Sequence, residues 1–195
     1  MANPPNKSPS ESPWKNVLDM SLLEYKGTDR LQEVLRRANV WSKSTDQRGW
    51  DTRLIPYFHL VSFTLPEGKQ PLPSVTFRYT ARAEHTNPKQ TLHGGFIATL
   101  FDTCTSFALL LINSPGFWFN LGITRSLTTQ YFRPVPIGTD VLIECKVLQI
   151  GKKLCSIRGT MRRESDDALM AVCDHGKVNT DPEGWIKNGF AAAKL

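Results

Sequence analysis

The sequence predicts an α+β fold in which an antiparallel sheet wraps around one long central helix, and three observations predict it. Gly94 to Asn113 is an almost unbroken apolar run with no turn chemistry before Asn113-Ser114-Pro115-Gly116, so it reads as a helix apolar on nearly every side. Such a helix has to be buried. The segments on both sides of it are β-branched and aromatic, and those after it are separated by short turns, as in antiparallel sheets. With 195 residues the chain holds one core plus tails. A composition of 40% apolar and 22% charged residues excludes collagen-like, coiled-coil and wholly disordered classes.

Taken in order, residues 1–14 are rich in Pro, Ser and Asn without apolar periodicity and are expected to be a disordered tail. Residues 15–54 form an N-terminal extension. Within it Asp29 to Trp41 places Leu31, Val34, Leu35 and Val40 near helical spacing, with Asp29 as N-cap. This predicts a peripheral helix packing over the domain, the alternative being a membrane-surface role suggested by Arg36 and Arg37. The main domain is expected over 55–180. Strands are predicted over Ile55 to Leu65 and Ser74 to Ala83, then the long helix, then four more strands in a meander. These four run over Leu121 to Val135, Thr139 to Ile150, Lys153 to Arg163 and Ala168 to Asn179, and residues 181–195 are a C-terminal tail.

The formal charge of +6 admits nucleic acid, an anionic membrane or an anionic small molecule as partner, and the placement of the charge chooses among them. Between Lys89 and Arg125 the only formally charged residue is Asp102, whereas Lys152, Lys153, Arg158, Arg162 and Arg163 crowd together. One basic edge beside an apolar body lacks the stacking aromatics or known module of a nucleic-acid reader, so no nucleic acid is expected. A carboxylate near the middle of a membrane span costs about 2.5–3.5 kcal/mol, so Asp102 argues against a span as well. Cys104, Cys145, Cys155 and Cys173 are widely spaced, with no C-x-x-C pair and no leading signal peptide, which predicts neither disulfides nor a zinc site and suits a reducing compartment.

Chemistry concentrates in the long helix. His93-Gly94-Gly95 opens it. Two glycines allow close backbone approach, and the unpaired N–H groups and positive dipole end of a first helical turn can bind a developing oxyanion. The alternative is an ordinary turn before a helix. Asp102 is a carboxylate in the charge-poor stretch with no sequence neighbour to pair it, so it is either a hydrogen-bonded structural acid or a working one. Eight residues of helix separate Gly94 from Asp102, roughly 12 Å. If both act on one carbon, two chains must lay their helices antiparallel so that Asp102 of one reaches Gly94 of the other. G-x-S-x-G, H-E-x-x-H, P-loop and G-x-G-x-x-G patterns do not occur, and no metal site is expected.

The stretch N-P-K-Q-T-L-H-G-G-F-I-A-T-L-F-D, Asn87 to Asp102, resembles the signature of the PaaI-type branch of the hotdog-fold acyl-CoA thioesterases. L-G-I-T-R-S-L-T-T-Q-Y-F-R-P-V resembles that family's next strand, and G-K-K-L-C-S-I and C-D-H-G-K-V-N its last two, so the resemblance covers about Ile55 to Thr180. It implies a hotdog fold and hydrolysis of an acyl-CoA thioester to free acid and thiol. The Gly94 N–H and the Asn87 side chain would polarise the carbonyl, and His93 would orient the thioester or its hydrogen bonds. Asp102 of a partner chain would act as general base or nucleophile, with Thr124 positioning the water. Gly95, Lys152, Lys153, Arg162 and Arg163 are the candidates for holding coenzyme A, which is part of the substrate, so no separate cofactor is expected. A homodimer or homotetramer with shared sites follows. Alternatives on the same fold are a non-catalytic or regulatory acyl-CoA binder and a thioesterase acting on a carrier-protein or polyketide thioester. Phe96, Phe101, Phe107, Leu110 and Phe117 to Phe119 line an acyl pocket or are plain core. Ala193-Lys194-Leu195 resembles the S-K-L address, which predicts a peroxisomal location, or a cytoplasmic one if that tripeptide is unread.

Overall fold

The computed structural model describes residues 20–25, 27–44, 54–65 and 72–182. The expected tail 1–14 and the tripeptide Ala193-Lys194-Leu195 lie outside the described residues. Six strands form one antiparallel sheet: β1 (Phe58–Thr64), β2 (Ser74–Thr80), β3 (Ile123–Tyr131), β4 (Asp140–Ile150), β5 (Leu154–Arg163) and β6 (Leu169–Val178). The helix α1 (Gly27–Ser44) precedes them and α2 (Gly94–Ala108) lies between β2 and β3. The spatial order β1-β2-β4-β5-β6-β3 corrects the expected meander. Of the four strands after α2 only β4, β5 and β6 follow one another; β3 crosses to the far edge beside β6, and β4 returns to pair with β2.

The sheet curls around α2, as the apolar run requires. Leu100, Phe101, Cys104, Phe107 and Ala108 of α2 face the inward phase of the strands, among them Val75, Phe77, Tyr79, Val141, Ile143 and Ile157, all fully buried or nearly so. Alternation is clearest in β4, where Val141, Ile143, Cys145 and Val147 point in. Each such side chain contributes about 1.5–3 kcal/mol of burial. Helix and sheet approach closely at Gly159 of β5, where a Cβ would lie 2.6 Å from Phe101 Cδ1. The stretch Gly94–Leu111 is apolar enough to cross a membrane by composition, with mean hydropathy 1.5, but 67% of it is buried inside the fold. The helix ends at Ala108 and tightens into a 3-10 turn over Leu109–Leu111, short of the expected Asn113. All four cysteines are free and buried, and burial raises their thiol pKa values, those of Cys155 and Cys173 to about 12.

The helix α1 starts at Gly27, so Asp29 sits in its first turn and is not the N-cap. Leu31, Val34 and Ala38 make its buried face, whereas Val40, expected inside, is 58% exposed. Arg30 is buried at its foot. It donates to the carbonyls of Leu22 and Tyr25 and to Asn113, both to its carbonyl and to its Oδ1, and so ties α1 to the end of the core helix. Arg36 and Arg37, weighed above as a membrane-facing pair, both hold Glu33 and depress its carboxyl to about 2.

Candidate active site

The first turn of α2 is organised by its own backbone. Asn87 closes a turn over residues 87–91. Its N–H donates to Thr91 O at 2.9 Å, its Oδ1 accepts from Lys89 N at 2.9 Å, and its Nδ2 donates to Thr91 Oγ1 at 3.0 Å. Gln90 completes that turn with φ of 58°. His93 is the N-cap, extended at φ −65° and ψ 135°, and its Nδ1 accepts from Gly95 N at 3.0 Å. Gly94 is therefore the first helical residue, whose N–H has no acceptor within the helix and points along the positive end of the dipole. Its carbonyl accepts from Tyr131 Oη at 2.8 Å. Beneath the loop His85 takes the His93 N–H on its carbonyl, stacks on Phe96 at 3.9 Å between ring centroids, and joins its Nδ1 to the Tyr79 hydroxyl at 2.6 Å. A pocket of about 300 Å³ opens beside Gly94, walled by Leu92, Ile97, Tyr131, Phe132 and Val135.

Asp102 lies two turns further along, at the edge of a buried polar cluster. Asp102, Thr105 and Ser106 share one face of α2 by their spacing of three and four. Opposite them His175 and Lys177 occupy the inward phase of β6, and Thr124 of β3 stands beside Lys177 in register. Thr124 Oγ1 donates to Asp102 Oδ1 at 2.6 Å and lies 3.0 Å from His175 Nε2; that Nε2 is 3.3 Å from the same carboxylate oxygen. His175 Nδ1 is 2.6 Å from Thr105 Oγ1. Lys177 Nζ donates to Ser106 Oγ at 2.7 Å, and Ser106 Oγ to the Asp102 carbonyl at 2.7 Å. The side chain of Asp102 is 44% exposed, whereas His175 is wholly buried. Burial, then the Lys177 charge, push the imidazole down to about 4 against the opposing pull of Asp102. Burial likewise lowers the Lys177 ammonium.

Of the residues singled out in the sequence, the structure brings Asp102 and Thr124 into direct contact, and separately gathers Asn87, His93, Gly94 and Gly95 at the start of α2. It does not join the two groups within one chain. Lys152 and Lys153 sit exposed in the β4–β5 turn, pinned by Asn179, which donates through its backbone to Lys153 O and through Nδ2 to Lys152 O. Arg162 and Arg163 stand at the other end of β5, roughly 30 Å away along the strand. There they pair with Asp167 and Asp166. Phe101, Phe107 and Leu110 are sealed in the core, as are Trp118 and, almost wholly, Phe96 and Phe119. Thr105 and Ser106 were not read from the sequence as functional, and His175 and Lys177 were read only within the C-D-H-G-K-V-N match to the family's last strand, with no partner assigned. The available signal was period two in β6: Cys173, His175 and Lys177 share one inward phase, and two polar residues there face the helix that carries Asp102.

Residues 89–170 match the family model of the thioesterase superfamily. Acyl-coenzyme A thioesterase 13 of Homo sapiens is 35% identical over 96 residues, covering 48% of this chain and 64% of that protein. The chain thus spans less than two thirds of the length of the curated relatives it matches. The crystal structure of zebrafish thioesterase superfamily member 2 superposes with a TM-score of 0.64 at 23% identity, covering 79% of this chain and 99% of that one. The Escherichia coli PaaI protein does so with a TM-score of 0.55 at 15% identity over 77% and 99%. Motif, family match and fold agree: the chain has the hotdog fold, and its residues 89–170 carry the thioesterase-superfamily pattern.

Proposed function

We propose that the protein hydrolyses an acyl-CoA thioester at sites shared between two copies of the chain. The observation that carries this reading is the placement of the two groups at opposite ends of one edge strand. Thr124 holds Asp102 near the start of β3, and Tyr131 holds Gly94 at its end. Within a chain they are separated by roughly 12 Å along α2. The strand β3 is the sheet's edge and leaves Ile123 and Tyr131 at least half exposed, with Phe132 just beyond it. Antiparallel pairing of two β3 strands about a twofold axis sets Thr124 and Asp102 of one chain against Tyr131 and Gly94 of the other.

In that arrangement the Asp102 carboxylate takes a proton from water as the water oxygen bonds to the thioester carbon. The charge on the carbonyl oxygen is met by the Gly94 N–H and by the Asn87 amide hydrogen that Thr91 leaves unused. Collapse of the tetrahedral adduct breaks the C–S bond, and the thiolate leaves with the proton. The apolar pocket beside Gly94 is the place for the acyl chain or the adjoining pantetheine arm. Lys152 and Lys153, at the Thr124 end of the sheet, and Arg162 and Arg163, which pair with Asp167 and Asp166 at the other, are the candidates for the coenzyme's phosphates. Thiol release over a panel of acyl-CoA thioesters tests the reading. At least one should turn over in the wild type, and Asp102→Asn should cut kcat by at least ~10²-fold in a folded protein. Tight binding of acyl-CoA without thiol release would make the protein a binder, and normal turnover by Asp102→Asn would remove the aspartate from the chemistry.

A further inference from the structure

We infer that His175 is a positioning residue for Asp102, serving as a second acceptor that draws the Thr124 hydroxyl proton off the carboxylate and frees that carboxylate to take a proton from water. The inference rests on the reading of Asp102 as the base and assigns work to a buried imidazole that reading leaves idle.

A count of protons supports it. Thr105 Oγ1 lies 2.6 Å from the carbonyl of Phe101, which can only accept, so the single Thr105 proton goes there. Toward His175 the Thr105 oxygen must then accept, and Nδ1 carries the hydrogen. In the neutral ring Nε2 is left as a bare lone pair. Thr124 has one proton and faces two acceptors, Asp102 Oδ1 at 2.6 Å and His175 Nε2 at 3.0 Å, themselves 3.3 Å apart. Two lone pairs at that separation repel unless a hydrogen lies between them or is shared alternately. With the Thr124 proton on Oδ1, the carboxylate is occupied and is a weaker base. Rotated onto Nε2, the same proton leaves Oδ1 open and turns the Thr124 oxygen lone pairs to an incoming water. One hydroxyl rotation thus separates a resting from a competent arrangement, with no bond to a heavy atom broken.

The device needs a neutral His175, because an imidazolium would donate from Nε2 to Asp102 and close the acceptor. The ionisable groups facing the ring are Asp102 from α2 and Lys177 from β6, with the hydroxyls of Thr105 and Thr124 completing its contacts. Lys177, held by Ser106, supplies the positive charge that opposes protonation of the ring, in the same sense as its burial.

Two measurements test this. The first needs no substrate: ¹⁵N NMR of the four-histidine protein, with His175 assigned by the signal lost in His175→Gln, should show the Nδ1–H tautomer at neutral pH. An Nε2–H tautomer or an imidazolium overturns the proposal. The second compares His175→Gln, whose side-chain oxygen can reach the Nε2 position, with His175→Met, which offers no comparable acceptor. The methionine variant should lose on the order of tenfold in kcat with KM within about twofold, and the glutamine variant should recover most of it. Equal kcat for the two overturns the proposal. Should His175→Met not fold, Thr105→Val takes its place: losing the Nδ1 acceptor should move the hydrogen to Nε2 and lower kcat, and an unchanged tautomer overturns the proposal. A wild type that releases no thiol from any acyl-CoA sinks the hydrolase reading, while the tautomer still decides the proton arrangement.

Discussion

The two ends of α2 are built in opposite ways. At its first turn the candidate groups are backbone atoms, the Gly94 N–H and a loop closed on itself by Asn87 and His93. Around Asp102 they are side chains from α2, β3 and β6, half of them buried, joined by hydrogen bonds that span up to 71 positions of sequence. A backbone donor costs no buried charge and needs only local geometry. A carboxylate beside an apolar core needs partners for every lone pair and proton, and only a sheet can bring those together. The first end is expected to tolerate side-chain change outside the loop, while the second is expected to weaken when a member is lost.

That contrast can be broken experimentally. After Asp102 itself, the largest effect in its cluster is expected at Thr124→Val, which leaves Asp102 Oδ1 and His175 Nε2 facing each other at 3.3 Å with no hydroxyl between them. Turnover should fall by roughly 10²-fold, more in kcat than in KM, as steady-state kinetics would show. A pure KM effect would make Thr124 a binding residue. Next is acid sensitivity. His175 titrates near 4 in the folded chain and near 6.5 when unfolded, so the unfolded state binds the extra proton first as pH falls. Stability present above pH 6.5 should decline from there toward pH 4. Urea unfolding at several pH values should show this decline, and His175→Gln should flatten it.

Two smaller effects belong to the other end. Asn87→Ala removes a proposed oxyanion donor and a turn-former together, so kcat should drop about tenfold through the first role. A loss confined to melting temperature would leave only the turn. Gly95→Ala places a Cβ 3.1 Å from His93 Nδ1 and should loosen the cap by about 1 kcal/mol, visible as a modest shift in the denaturation midpoint.

What could be read from the sequence follows the same division. The central helix was legible because an apolar run without turn residues has one stable home, and Asp102 stood out within it as the lone charge. Strand positions were legible from alternation, yet β3 was expected beside β4 and lies beside β6, because local pattern fixes that a strand exists and not which neighbour it takes. Val40 fits the helical spacing but faces outward, its place at the interface going to the smaller Ala38. Arg30 drew no reading in the sequence and is the buried tie to Asn113, a partner 83 positions away. The joining of His175, Lys177, Thr105 and Ser106 to Asp102 was missed for that reason too: each is ordinary in its own segment, and they meet only when β6 packs on α2.

Shared sites are the central claim, and complementation tests them most directly. Gly94→Pro removes the N–H donor at a first-turn position where proline is tolerated. His93 before it is already extended, as a residue preceding proline prefers, and a Cβ at Gly94 meets only Tyr131 at 3.5 Å. Asp102→Asn disables the other half. Co-expressed in equal amounts, the two chains place about half of all dimers in the mixed form, each with one intact and one doubly damaged site. Thiol release should return to roughly a quarter of the wild-type rate, from two parents that are each inactive. Mixed dimers verified by native mass spectrometry with no recovered activity would contradict the shared site and confine Asp102 to its own chain.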